Sequence, residues 1–145
     1  MQEIQDFLKK KNYKKIKFKV LKTQHLLLTA KINGVKGSFI LDTGASNSCL
    51  GFEGISKFQL IAETSETKAA GAGATGMETQ LSKNNLLQLS HWKTSNFYLV
   101  IFDMQHVNEA LNQYKTKPVD GIIGADILLK GKAIIDYFNH YLYLR

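Results

Sequence analysis

The run "HLLLTAKINGVKGSFILDTG", residues 25–44, most narrows what this chain can fold into. Asn33-Gly34 stands between two apolar-rich stretches, and Asn-Gly supplies the positive φ angles of a tight turn, so an antiparallel hairpin is predicted. Its second arm, Ser38-Phe39-Ile40-Leu41, reads as a buried strand and delivers the chain straight into Asp42. Acids are rarely at home at the end of a buried strand. Thr43, Gly44, Ala45 and Ser46 follow, small or hydroxylic where a charged loop would be the ordinary choice. The fold must therefore hold one carboxylate beside its core.

Strand signals dominate elsewhere too. "KKIKFKV" alternates Lys15, Lys17 and Lys19 with Ile16, Phe18 and Val20, the period of a strand with one wet face. Further strands are expected over "METQLSKN", "NLLQLSHW" and "SNFYLVIFD", over residues 119–123, and in a hairpin of residues 133–137 with 141–144. Helical spacing is confined to three short places: Ile4, Phe7 and Leu8; Val107, Leu111 and Tyr114, closed by Pro118; and residues 125–129. "CLGFEGISKFQL" reads as irregular. Many short strands with small helices predict an all-β barrel or sandwich. No long Pro, Gly or Ser linker divides the chain, and the expected organisation is a basic extension over residues 1–20 (short helix, then edge strand) followed by one domain over 21–145.

Composition removes several function classes. At 145 residues and 44% apolar the chain can bury a core. No run reaches the ~18 to 20 apolar residues of a membrane helix, and the first residues lack a secretory signal. Cys49 is the only cysteine, which suits a reducing compartment, so the expected location is the cytoplasm. Of the net charge of +7, residues 1–20 carry +5 through seven lysines and two acids. That patch permits nucleic-acid binding, but lysines on an edge strand also discourage unwanted pairing, and no nucleic-acid motif accompanies them. His25, His91, His106 and His140 lack metal-ligand spacing. "GAGATG" lacks the Lys-Ser or Lys-Thr of a phosphate loop and the β-α-β context of a dinucleotide fingerprint. No metal or organic cofactor is expected.

Asp42-Thr43-Gly44-Ala45-Ser46 is the constellation that carries chemistry. Two carboxylates at ~3 Å cannot both ionise, so they share one proton and offer a base and an acid at once to a water attacking a peptide bond. Gly44 lets backbone approach and leaves its N–H to hold a carboxylate oxygen. In order along the chain come an apolar strand into this motif, a glycine-rich segment about thirty residues later, Ile122-Ile123-Gly124 opening a short helix, and a last strand. The ordered set resembles the retropepsin-like aspartic proteases, with a single motif per chain as in bacterial and cellular members. The resemblance implies a small closed β-barrel of the retropepsin-like acid protease type with one or two short helices. It further implies an aspartic endopeptidase with Asp42 as catalyst, Thr43, Gly44, Ala45 and Ser46 as its loop, and apolar side chains at the cleaved bond of an extended substrate. Thr43 would reach across to the opposite loop.

The uncharged segment Ala70, Gly71, Ala72, Gly73, Ala74, Thr75 and Gly76 fits a flap over that substrate. Ile122, Ile123 and Gly124, with Phe39 and Ile40, would form the floor of the loop. Asp120, Asp126 and Asp136 read as structural, Asp126 as a helix-capping acid. With no second motif in the chain, the dyad must be completed by symmetry, one Asp42 from each chain of a homodimer. Ala45 stands where family members carry a hydroxyl that favours acid working pH, so a milder optimum, on the order of pH 5 to 7, is expected. Two rivals are open: a non-catalytic dimerisation or peptide-binding module with the same loops, and a basic nucleic-acid binder.

Overall fold

The computed structural model describes residues 2–69 and 77–145. Helix α1 (Gln2–Lys10) leads into strands β1 (Lys14–Lys17), β2 (Lys19–Val20), β3 (Leu26–Ile32), β4 (Val35–Leu41) and β5 (Cys49–Leu50). Helix α2 (Glu53–Lys57) precedes β6 (Ala62–Ala69), β7 (Met77–Leu89) and β8 (Trp92–Ile101). Helix α3 (Gln105–Asn112), β9 (Gly121–Ile123), α4 (Ala125–Lys130), β10 (Ile134–Asp136) and β11 (Tyr141–Leu144) complete the order.

The hairpin forms where Asn33-Gly34 places it. Asn33 and Gly34 have φ of 52° and 84°, and β3 pairs antiparallel with β4 from Leu26↔Leu41 to Ile32↔Val35. Both angles must be positive for the turn's twist to match that of its strands. Leu26, Leu28, Ala30 and Ile32 alternate inward, each buried. β3 also pairs with β7, so the six strands β3, β4, β9, β5, β8 and β7 close into a barrel, with β2 and β6 flanking it. A second sheet of order β1-β11-β10 lies beside it.

Topology at the barrel's centre decides the rest. β9 lies between β4 and β5, parallel to β4 (Phe39↔Gly121 to Leu41↔Ile123) and antiparallel to β5 (Cys49↔Ile122). Two strands close in sequence are thus held apart by one from the last third of the chain. Ile122 and Ile123 are both buried, but they enter different apolar clusters, as do Ile40 and Leu41 on β4. Each such side chain contributes about 2 kcal/mol on burial. Anchoring alternate residues on both faces fixes β4 and β9 against sliding.

Four expectations need correction. The "KKIKFKV" stretch is not one strand: the Phe18 N–H donates to the His140 carbonyl, so β1 joins β11 while β2 joins β3. Ile16 and Phe18 both lie in the main core. "CLGFEGISKFQL" is ordered as β5 and α2, with the Phe58 N–H bonded to the Gly54 carbonyl and Phe58 fully buried. "METQLSKN" and "NLLQLSHW" form a single strand, β7, whose register shifts at Asn84, held at φ 59°, and again before Leu87. The α3 helix ends before Pro118 is reached, the chain turning at Lys115 with φ 58°.

Candidate active site

β4 ends on Leu41 and the chain turns away immediately. The Asp42 N–H donates to the Ile123 carbonyl at 2.9 Å, so the loop leaves the sheet at a point fixed by β9. The Gly44 N–H donates to Asp42 Oδ1 at 2.8 Å, and the Ala45 N–H closes back on the Asp42 carbonyl at 3.2 Å. A backbone donor on one oxygen orients the carboxylate without neutralising it. A methyl group on Gly44 would stand 3.3 Å from that same oxygen, a tight contact that glycine avoids. Asp42 is half-buried, while Thr43, Gly44 and Ser46 form an exposed rim around it and Ala45 turns inward.

The far side of the loop is pinned by a network that spans most of the chain. Ser48, fully buried, accepts a hydrogen bond from the Gly124 N–H at 2.9 Å and donates its hydroxyl to Asp126 Oδ1 at 2.7 Å. The Ser48 N–H donates to Asp126 Oδ2 at 2.9 Å. The Ala125 N–H donates to the Ala45 carbonyl at 2.7 Å. Gly124 passes so close that a Cβ there would lie 2.5 Å from the Ala45 oxygen. Ile122, Ile123 and Gly124 therefore meet the Asp42 loop through direct backbone contact as well as apolar packing.

Asp126, in the first turn of α4, accepts from the Ile127 N–H and also reaches across to Ser48. Ser48, which the sequence did not single out, braces the loop; among the described residues no hydrogen bond holds the Ser46 side chain. Spacing from Asp42 could not separate the two serines, because only one of them faces α4. Asp120 accepts from the Ser38 N–H and from Lys57, and Asp136 accepts from the Asn139 N–H and side chain. Each of the other candidate acids is engaged away from Asp42.

The flap candidate, Ala70 to Gly76, lies outside the described residues. Its flanks are β6 and β7, paired antiparallel from Ala62↔Ser82 to Ala69↔Met77. Among the described residues no group of three His, Cys, Asp or Glu side chains could hold a metal ion.

Cys49 sits on β5 just past this loop, its thiol donating to the Asn47 carbonyl. Burial, and then the nearby carboxylates of Asp126 and Asp42, push the thiol up to about 12. At pH 8 only about one thiol in 10⁴ is then ionised, and the thiolate is the reactive form. Iodoacetamide at pH 8 should leave Cys49 unmodified in the folded protein and label it fully in denaturant; equal labelling in both states would contradict this.

Comparison with known proteins fits the geometry. The sequence model of the aspartyl protease family matches residues 28–127, which contain the whole Asp42 loop, β9 and the start of α4. The chain belongs to the aspartyl protease family. Solved aspartyl proteases share its fold. A retropepsin-like aspartic protease from Rickettsia conorii superposes with a TM-score of 0.61 at 18% identity, covering 91% of this chain and 90% of the other. EIAV protease, complexed with the inhibitor HBY-793, gives 0.56 at 20% identity over 76% and 90%. The retroviral protease-like domain of Ddi1 from Leishmania major gives 0.53 at 17% identity over 83% and 94%. No curated protein matches the sequence. The aspartyl protease fold here is the retropepsin-like one: mostly β, with a closed six-stranded barrel and few short helices.

Proposed function

We propose that this chain is an aspartic endopeptidase that works as a homodimer, with Asp42 of each copy contributing half of one catalytic pair. The observation that carries this reading is a single half-buried carboxylate, oriented by the Gly44 N–H at the tip of a rigidly anchored loop whose rim is exposed. The other candidate acids, Asp120, Asp126 and Asp136, each have hydrogen-bond partners of their own. A second copy related by a two-fold axis supplies the missing carboxylate at the rim.

The chemistry follows from sharing one proton. The ionised member of the pair takes a proton from a bound water, which attacks the scissile carbonyl; the protonated member donates to the carbonyl oxygen and later helps the amine leave. The titration belongs to the pair rather than to either acid. Ala70 to Gly76, carried by the β6–β7 hairpin, act as the flap over an extended peptide. The single buried cysteine fits work in the cytoplasm.

Ala45 places a methyl where a hydroxyl would donate to the carboxylates. A donor there would favour the charged form, so its absence moves the activity maximum upward, to roughly pH 5 to 7. Ala45→Ser should shift that maximum down, and a wild-type maximum below about pH 4 would count against the argument.

The deciding experiment is cleavage of a peptide library by the wild type and by Asp42→Asn, with the mass of both measured in solution. The expected result is cleavage by a wild-type dimer and none by a variant that still dimerises. A wild type that cuts no peptide favours a binding module instead, and a variant that still cuts rejects Asp42 as the catalyst.

A further inference from the structure

We infer that β3 carries a second binding site, a basic notch in the barrel wall at Thr29 that takes an acidic, extended stretch of polypeptide. The site is separate from Asp42 and does not depend on the catalytic reading above.

The backbone of β3 shows where the wall is open. In an antiparallel ladder, residues alternate between bonding one neighbour and the other. The Ser38 N–H donates to Asp120 and the Ser38 carbonyl accepts from the Asp120 N–H, so Ser38 turns its backbone away from β3. Its partner, Thr29, then directs its own N–H and carbonyl to the opposite edge of β3. That edge is covered at both ends, where Leu27 meets Lys19 of β2 and Lys31 meets Gln88 of β7. The Leu21 N–H on the His25 carbonyl and the Asn33 N–H on the Leu86 carbonyl show the same outward phase. Between them β2 reaches no further than Lys19 and β7 stops at Leu89, so among the described residues no strand stands opposite Thr29. The interval from Leu27 to Lys31 is about 14 Å, room for about three extended residues.

Charge selects the occupant. A cavity of about 800 Å³ opens over this interval, lined by Lys17, Lys19 and Lys31 together with Gln88, Ser90 and His140. The three lysines are exposed, no acid lines the cavity, and among the described residues no carboxylate pairs with any of them. Lys19, opposite Leu27, and Lys31 stand on the same face of the sheet as the Thr29 side chain, one to either side of it. A peptide residue that exchanges both hydrogen bonds with Thr29 puts its side chain on that face too, within diagonal reach of both amines. Glu or Asp there is complemented, and Lys or Arg is repelled.

Nucleic acid fits less well. Its phosphates would find the lysines, but a single strand also uses ring faces for stacking. The cavity's Phe18 is buried, with His140 stacked on it at 5.7 Å. A polypeptide instead uses both the N–H and the carbonyl of Thr29, as an added strand does.

The probe is a fluorescein-labelled decapeptide alternating Glu and Thr, followed by anisotropy at low salt, with the Gln-Thr decapeptide as its neutral counterpart. The Glu peptide should bind at least about 10-fold more tightly than the Gln peptide. The Thr29 amide, exchanging readily with solvent in the unbound protein, should be slowed at least about 10-fold when the Glu peptide is bound. Lys19→Glu combined with Lys31→Glu should weaken binding at least about 20-fold, whereas Lys9→Glu with Lys10→Glu, the same charge change placed on α1, should alter it less than about twofold. Equal binding of the two peptides, an unslowed Thr29 amide in the wild type, or an equal loss from the α1 substitutions overturns the notch. A six-nucleotide thymidine strand that binds more tightly than the Glu peptide overturns it in favour of a nucleic-acid surface. None of these outcomes bears on the role of Asp42.

Discussion

Wild-type and Asp42→Asn chains mixed in equal amounts and allowed to exchange should retain about a quarter of the activity of the same total quantity of wild type, the share of dimers with two acids under random pairing. Chains that acted singly would retain half. The arithmetic tests the proposal that neither copy alone has a complete catalyst. Asparagine preserves the shape of Asp42 and can still accept from the Gly44 N–H, so the loop should persist. It can neither take a proton from water nor share one with its mate. A pure Asp42→Asn sample should therefore lose at least about 10³-fold in kcat/KM, or about 4 kcal/mol of transition-state stabilisation. Retention of half the activity in the mixture would show that one Asp42 suffices, and the dyad would have to be abandoned.

Asp126→Ala should have the largest effect on stability of any change outside the apolar core. The carboxylate accepts from the Ser48 N–H and from the Ser48 hydroxyl, and Ser48 in turn holds the Gly124 N–H. Hydrogen bonds to a charged acceptor contribute about 1.5–3 kcal/mol each, and a buried donor left unpaired costs the full desolvation of that group. The lost bonds share one carboxylate, so about 3 kcal/mol in total is expected rather than their sum. In a chain of this size that lowers Tm by roughly 10 °C. Ser48→Ala should cost less, about 1–2 kcal/mol, because the Ser48 N–H keeps its bond to Asp126. Both variants should lose activity beyond what their unfolding explains at assay temperature, since the loop that aims Asp42 is no longer pinned to α4. Asp126→Ala within 0.5 kcal/mol of wild type in urea unfolding would show that the network is decorative.

How much of this was legible in the residues depends on the range of the interaction. The β3–β4 hairpin was readable because Asn33-Gly34 determines its turn locally. The arrival of Leu41 at Asp42 was visible too, as was Ile122-Ile123-Gly124 opening a helix. What could not be read was the threading of β9 between β4 and β5, because no local signal says which strand will be a neighbour. Ser48 escaped for the same reason: its partners, Gly124 and Asp126, are distant in sequence, whereas Ser46 stood nearer the motif and drew attention. Alternation in "KKIKFKV" correctly gave the buried set, Ile16 and Phe18, yet could not reveal that the backbone changes sheets at Phe18. The short α2 was missed because Gly54 and the β-branched Ile55 weaken helix propensity, and the segment is held instead by packing of Phe58 in the core. Outside the family resemblance, nothing in the spacing alone distinguished Asp120, Asp126 and Asp136 from one another.

The insertion of β9 has a temporal consequence. Segments 39–41 and 49–50 find their common neighbour only in residues 121–123, so during synthesis the Asp42 loop has no support until most of the polypeptide has left the ribosome. Contacts of such long range are slow to form, on the order of milliseconds to seconds. On the endopeptidase reading proposed above, a growing chain cannot cut its neighbours until its last third is made.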